Sequence, residues 1–319
     1  MIKYIGRRLL IAFVTLLTIM TLLFILLEFM PGSPFNDEKL SESQRELLNE
    51  KYGLNDPIPV RYKTFMVNVL TKGDFGVSYA IEKNAEVSNI IDKRLPLSIR
   101  FGLQALALGS VVGIILAAIA ALNKNTIWDT MTTGFSVLGI SIPSYVFALG
   151  LSYFLGYKLT KATGHQYFPM TFDIYQPWKS SILPTIALSM FVIATVARFM
   201  RTELVEVIGS DFVLLAEAKG LNSRKIITRH AMRNALIPVV TVLGPLTVSL
   251  MTGSLVIERV FGIPGIGDLL VTAISVNDFN IIIAVSFYYS IFYIIMQLFI
   301  DILYGIIDPR IRVAKGGQS

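Results

Sequence analysis

Cysteine is absent from the 319 residues and histidine occurs only twice. Without thiolates the chain cannot be a disulfide scaffold, a thiolate zinc protein or an iron–sulfur protein. Charge is scarce as well. Asp, Glu, Lys and Arg make up 16% of the residues, against roughly 25% in an average soluble protein, while the apolar set reaches 54%. With a mean hydropathy of +0.64, neither a disordered chain nor a soluble globule fits. No G-x-x-x-x-G-K-[ST] run occurs, and the glycine-rich stretch Gly262 to Gly267 has neither a lysine nor a strand before it, so no phosphate loop is present. No serine is placed with a histidine and a carboxylate for nucleophilic attack, which leaves an enzyme reading without a catalytic residue.

What the chain has in place of these is apolar sequence in long uncharged blocks. A helix crossing a hydrocarbon core about 30 Å thick needs about 20 apolar residues, because each adds about 1.5 Å and every backbone amide must bond within the helix. Six blocks reach or approach that length: Leu9 to Phe29, Phe101 to Leu122, Met131 to Tyr157, Ser180 to Ala197, Ala235 to Ile257 and Asn280 to Ile300. Glu28 is the only formal charge in any of them. The fourth block is the shortest, and Arg198 and Arg201 can extend it by snorkelling. The first is too long for a signal-peptide core and ends in Phe29-Met30-Pro31-Gly32 instead of a small-x-small cleavage site, so it reads as a retained helix.

Lysine and arginine near the helix ends set the orientation. With the N-terminus cytoplasmic, the inside segments 1–8, 123–130, 198–234 and 301–319 carry 14 cations, against four in the two short outside loops. The outside segment Pro31 to Ser98 carries nine more beside ten acids, and long loops translocate largely regardless of charge. The expectation is N-in and C-in. The net charge of +6 is then mainly topological, with membrane lipid as its partner and no nucleic acid. His165 and His230 fall on opposite sides of the membrane and cannot share a metal, so no metal site is expected.

Two segments outside the membrane have helical signatures. In the outer one, Ser41 and Gln44 fit a capping box with Gly53 as the stop, and Asp56-Pro57 opens a helix through Val60, Phe65, Val67 and Leu70 to Gly73. Asn84 precedes Val87, Ile90, Ile91 and Leu95, which lead into the second span at Pro96. This segment reads as a small helical cap, with a solvated hairpin as the alternative. In the inner one, the fourth helix continues through Arg201, Glu203 and Glu206 to Gly209. Ser210 or Asp211 then caps a short helix with Phe212, Leu215 and Ala216 on one face, closed by Gly220. Asn222 or Ser223 caps a further helix through Ile226, Ile227 and His230, kinked at Pro238. A short helix held between two long ones can transmit movement to them, and periodicity alone equally allows an interfacial helix resting on lipid.

At these residues the sequence resembles the permease subunits of bacterial ABC importers, in the dipeptide, oligopeptide and nickel branch. The resemblance is carried by Arg198-Phe199-Met200-Arg201, Asp211-Phe212-Val213, Ala216 to Leu221 and Arg229 to Pro238. It continues in Val256-Ile257-Glu258, Phe261 to Gly267 and Asp308-Pro309-Arg310-Ile311-Arg312, with Gly73 to Tyr79 and Arg94 to Ser98 matching the B-type permease. The inner segment is similar to the EAA loop of that branch. It departs from the general EAA pattern in having Leu214 where the glutamate stands and Pro238 eighteen residues after Gly220.

The resemblance implies an all-α integral membrane protein of the type I ABC importer permease fold, with six transmembrane helices in a bacterial plasma membrane. Its parts would be 1–30, an inner N-terminus and first helix; 31–97, an extracytoplasmic helical segment between helices 1 and 2; 98–305, the transmembrane core with the loop 198–234; and 306–319, a cytoplasmic tail. It implies two partner ATPases that bind ATP and Mg, no cofactor in this chain, a second homologous permease completing a heterodimer, and an extracytoplasmic peptide-binding protein. Asp211, Phe212, Leu215, Ala216, Ala218, Lys219 and Gly220 would couple to an ATPase, with Lys219 and Arg224 as rim charges.

Peptides would pass along the interface with the second permease, and nickel chelates or glutathione are alternative cargoes. Pro143, Pro184, Pro238 and Pro245, with Gly139, Gly244 and Gly253, point to bent helices around a cavity, where Ser141, Tyr145, Ser249 and Thr252 are candidate path-lining residues. Glu28, Arg100 and Glu258 are expected at the outer interface, satisfied by water and headgroups. An ion-coupled carrier would need an embedded charged relay and usually an internal repeat, and neither is evident. A receptor without transport would not need the short helix to couple to ATP.

Overall fold

The structure, a computed structural model, describes residues 2–30, 41–222, 225–251 and 255–307. Among these residues the regular elements are all helical, apart from one isolated bridge between Val77 and Glu86. Five helices are long and apolar enough to cross a membrane, and a bent pair makes a sixth candidate. The chain divides into two units, Met1–Leu97 with Pro264–Ile295, and Ser98–Ile263 with Met296–Ser319.

In the first unit, α1 (Ile2–Glu28) is followed by α2 (Glu42–Lys51) and α3 (Ile58–Lys72), and α4 (Val87–Leu122) begins. Leu9, Leu10, Phe13 and Val14 of α1 are exposed, which suits lipid and not water as their solvent. The capping box at Ser41 forms as expected, with Ser41 and Gln44 exchanging side-chain and backbone bonds. α3 starts one residue later than expected, with Pro57 as its N-cap, and ends at Gly73. The helix expected after Asn84 is not separate from the second span: α4 runs 36 residues with Pro96 in its interior.

The core of this unit joins Met20, Phe24 and Leu27 of α1 to Val87, Ile90 and Ile91 of α4. Leu269 of α11 (Ile266–Ser275) and Ile281 of α12 (Phe279–Ile307) complete it. The segment between α3 and α4 is irregular, and a carboxylate holds it in place. Asp278 is fully buried, and its Oδ2 accepts from the Ser78 hydroxyl at 2.6 Å and from the amides of Tyr79, Ala80 and Ile81 at 3.1, 3.0 and 3.2 Å. Successive amides converging on one anion form a nest, the geometry that stabilises a charge away from water. Asn280 donates to the Val77 carbonyl at 2.9 Å, and Gly76 lies so close to its amide that a Cβ would come within 2.9 Å of Nδ2. Burial pushes the Tyr79 phenol up from its ordinary pKa, so it stays neutral.

The second unit is built on α7 (Ile182–Ile208), whose inner face from Leu183 to Leu204 is buried. Around it lie the remainder of α4, α5 (Ile127–Ser141), α6 (Ser144–Thr163), α9 (Met232–Met251) and α10 (Leu255–Phe261). Small residues set the close approaches. A Cβ on Gly109 or Gly113 would come within 2.5 or 2.7 Å of the Cβ of Val192 or Val196, and one on Gly139 within 2.7 Å of that of Ala194. α4 therefore meets α7 through a small-xxx-small stripe.

The third block does not cross as one straight helix: α5 and α6 diverge by 102° at Pro143, and α6 contains a π-helical stretch at Ser152–Lys158. The other prolines named for bending do not interrupt their helices. Pro184 lies in the first turn of α7, and α9 runs through both Pro238 and Pro245. The three charges expected at the outer interface are satisfied by protein groups instead. Glu28 receives Arg61 Nη1 at 2.8 Å. Buried Glu258 accepts from the Ser98 hydroxyl at 2.7 Å. Arg100 donates to the Pro177 carbonyl and the Ser181 hydroxyl, with its guanidinium 4.5 Å from the Trp178 ring centre.

Candidate coupling helix and transport cavity

α7 stops at Gly209, and α8 (Asp211–Ala218) begins at once. The Ser210 carbonyl accepts the amides of Val213 and Leu214, while the Ser210 hydroxyl turns back to the Val207 carbonyl and does not cap the new helix. Asp211 stands in the first turn, where a carboxylate is favoured by the helix dipole. At the exit, the Leu221 amide bonds to the Ala216 carbonyl at 3.2 Å and Gly220 takes φ +73°, the Schellman arrangement that a residue with a Cβ adopts only under strain.

α8 has two faces. Val213 and Ala216 are buried against Ile226 and Val207, whereas Phe212, Leu214 and Leu215 are 44%, 56% and 57% exposed. Asp211, Ala218, Lys219 and Gly220 are also exposed. The expected face of Phe212, Leu215 and Ala216 is therefore divided. Ala216 lies about 40° around the helix axis from Phe212 and about 60° from Val213, and its short side chain falls to the inner side. Leu214 takes its place on the exposed patch. In the sequence Leu214 stands out only as a departure from the EAA pattern, although three large apolar residues within four positions of a non-membrane helix are a signal for an exposed patch.

After α8, the Asn222 carbonyl accepts the amides of Lys225 and Ile226, and a π-helical stretch at Ile226–Ala231 leads into α9. Ser223 and Arg224 lie outside the described residues. Ala231, Ala235 and Val239 of this arm pack on Val192, Met200 and Leu204 of α7. α8 thus sits between two helices that are themselves packed together.

At the α5–α6 break lies a cavity of about 440 Å³, walled by Gly139, Ile142, Pro143, Phe147, Phe191 and Ser249, with Ser144, Leu188 and Leu250 beside them. Pro143 has no N–H, so the Gly139 carbonyl lacks its usual helical partner. No lining residue carries a formal charge. Hydroxyls, a few carbonyls and aromatic walls suit weak contact with a solute of varied side chains, not tight recognition. Of the expected path residues, Ser249 lines this cavity. Ser141 and Tyr145 flank the break and are exposed without forming its wall, and Thr252 lies outside the described residues. Ser144 was missed, although its place directly after Pro143 marked it.

Near the junction with α8, Arg201 grips Asp129 with both arms, Nε to Oδ1 at 2.9 Å and Nη2 to Oδ2 at 2.7 Å. The Asn125 amide also donates to Oδ2 at 3.0 Å, and the Asp129 side chain is only 8% exposed. This pair fixes the start of α5 against the end of α7. The sequence marked Arg201 as a snorkelling cation, and its partner stands 72 positions away.

These helices, a broken span beside a cavity and a short helix outside the apolar spans, define a helical integral membrane protein. The chain belongs to the family described as "Binding-protein-dependent transport system inner membrane component", whose profile matches residues 109–313, with the N-terminal component of the same systems matching 1–102. It is accordingly an integral inner-membrane permease subunit of an ABC importer, a machine that works with ATPase and substrate-binding partners. Among its relatives is the dipeptide transport system permease protein DppB of Lactococcus lactis, 41% identical over 98% of this chain and all of that protein. DppB of Bacillus subtilis is 38% identical over 99% of this chain, and the oligopeptide transport system permease protein OppB of Haemophilus influenzae is 38% identical over 98%, each over its full length. A solved chain of the MetNI methionine ABC transporter, in inward-facing conformations, shares the fold at a TM-score of 0.51 and 13% identity, covering 69% of this chain and 97% of that one.

Proposed function

We propose that this chain is one half of the membrane path of an ATP-driven importer of dipeptides or oligopeptides, oriented N-in and C-in and paired with a second, similar permease. The cargo rests on the full-length relatives, which are named dipeptide and oligopeptide permeases. The observation that carries the coupling role is α8: one face is clamped to its own unit through Val213 and Ala216, and the other presents Phe212, Leu214 and Leu215 to a partner. Two ATPases bind and hydrolyse ATP with Mg, one receiving this face in a groove. This chain itself is no enzyme and holds no cofactor. The cavity at Pro143 forms part of the path, and an extracytoplasmic binding protein supplies the selectivity that its uncharged walls lack.

The test is uptake of labelled dipeptides, oligopeptides and nickel by cells lacking only this chain, with and without its restoration and with ATP depleted. Restored, ATP-dependent peptide uptake is expected, and loss of nickel uptake alone would move the chain to the metal branch. A Phe212→Asp, Leu215→Asp chain should reach the membrane at normal abundance yet fail to stimulate ATP hydrolysis by the assembled transporter. Full stimulation by that variant would remove α8 from the coupling role.

A further inference from the structure

The first unit contains a cavity of about 220 Å³ for which the transport reading has no use. Glu28 and Arg61 face it at 13% and 20% side-chain exposure, joined by a single 2.8 Å bond from Nη1 to Oε2. Among the described residues Arg61 donates to Glu28 alone, so the rest of its five-donor fork is left for a guest. Asp56 and Asp74 lie on the exposed part of the lining, and the Asp74 Oδ1 already accepts the Gly76 amide at 2.7 Å. The rings of Tyr52 and Tyr79, edge to face at 4.9 Å, form part of the wall.

The lining therefore offers one guanidinium and three carboxylates around a small, partly aromatic space. An anion alone would meet the carboxylates unfavourably, and a simple cation would leave the guanidinium donors unused. A guest carrying both charges satisfies both. The volume falls below the roughly 300–1,000 Å³ of pockets for drug-sized ligands, which limits the guest to a few heavy atoms around each charge.

We propose that this cavity is a binding site for a small zwitterion with a primary ammonium and an anionic oxygen, the anion on Arg61 and the ammonium on the carboxylates of Asp56 and Asp74. Two sources carry this chemistry: a free short peptide, and the ethanolamine phosphate head of a lipid, which is within reach because Glu28 is the last residue of an apolar span. The peptide source rests on the peptide-permease reading, and the lipid source does not.

The assembled transporter is reconstituted in phosphatidylglycerol nanodiscs, and binding of labelled dialanine is measured by equilibrium dialysis beside N-acetyl-dialanine. In parallel, phosphatidylethanolamine retained through purification is quantified by mass spectrometry. Two variants are compared, Asp56→Asn with Asp74→Asn at exposed positions, and Glu28→Gln with Arg61→Gln, which keeps a neutral hydrogen bond. Losing charge-assisted bonds should weaken the guest that occupies the site by about 10- to 100-fold. A drop for dialanine, with N-acetyl-dialanine bound poorly throughout, assigns the site to free peptide. A drop in retained phosphatidylethanolamine assigns it to the lipid head. If both ligands are unaffected by both variants, or the wild type binds neither, the proposal is overturned. Peptide uptake by cells carrying the same variants separates the two readings: normal uptake beside unchanged binding removes this site and leaves the permease reading standing.

Discussion

Replacing Asp278 by alanine should release the segment from Ser78 to Asn84. Its Oδ2 accepts four donors, three of them consecutive backbone amides, in a site closed to solvent. A buried donor left without an acceptor costs about 1–3 kcal/mol. Water will enter once the side chain is gone, so we take about 3 kcal/mol for the whole nest and not the full sum of its donors. The neighbouring bonds depend on the same geometry, since the Ser78 hydroxyl accepts the Glu82 amide and the Ser78 carbonyl accepts the Asn84 amide. At about 1.4 kcal/mol per factor of ten, local opening should rise on the order of a hundredfold.

Asp278→Asn keeps an acceptor oxygen but loses its charge. Because charge-assisted bonds are roughly twice as strong as neutral ones, its effect should be about half in free energy, a factor on the order of ten. Amide hydrogen exchange of the purified full chain in detergent, read on peptides spanning 78–84, measures both values. Peptides from the buried face of α7 report any global loss. Exchange in 78–84 within threefold of wild type for the alanine variant would refute the nest as the anchor. Equal effects of asparagine and alanine would refute the assignment of charge as half its strength.

Other consequences follow from close contacts in the second unit. Gly113→Val places a Cβ where Val196 already stands, and overpacking of about 1–3 kcal/mol should lower the temperature at which half the monodisperse protein is lost in detergent. Asp129→Asn removes the charge that the Arg201 guanidinium grips and leaves it one acceptor oxygen, and with Arg201 28% exposed to solvent the loss should be about 1–3 kcal/mol. The double change Asp129→Asn, Arg201→Gln should recover much of that loss in the same thermal assay, and no recovery would mean the pair does not act as a unit. Gly220→Val meets no atom within 4 Å but must hold φ +73°, at a cost of about 1–2 kcal/mol. ATP-driven uptake at matched membrane abundance should therefore fall with Gly220→Val and less with Gly220→Asn, because asparagine tolerates the left-handed region.

Five of the six spans, the capping box at Ser41, the stop at Gly73 and the short helix closed by Gly220 were legible because each is written in local spacing. What the sequence hid was pairing over distance. Gly109 and Gly113 stand four apart in plain view, yet nothing in their own helix names Val192 and Val196 as what they admit. Asp278 sits beside an asparagine at a helix junction, an ordinary turn until residues 200 positions earlier close on it. Proline was only partly legible for a related reason. Pro143 bends its span because α5 and α6 pack separately along α7, whereas Pro238 and Pro245 each remove one hydrogen bond from a helix that neighbouring helices keep in place. Whether a proline breaks a span is decided by what packs on either side of it, and an isolated stretch of sequence does not contain that.

The placement of α8 has a mechanical consequence for the proposed coupling. A partner pushing on Phe212, Leu214 and Leu215 cannot move α8 alone, because Val213 and Ala216 are buried with Ile226 at the foot of α9 and Val207 at the foot of α7. Those two helices are packed together through Val192, Met200 and Ala235, so the push is delivered to both. The same helices supply Phe191 and Ser249 to the cavity at Pro143. Phe191 lies about 25 Å up α7 from Ile208, so a tilt of about 10° at the foot displaces the cavity wall by on the order of 4 Å. That is about the width of a side chain, enough to open or close a path against α6. Spin labels at Phe191 and Tyr145 in the assembled transporter should accordingly change separation between the nucleotide-free and ATP-bound states, while labels at Leu215 and Phe191 keep theirs. A change confined to the second pair would mean that α8 slides on its arms, and the lever would be lost.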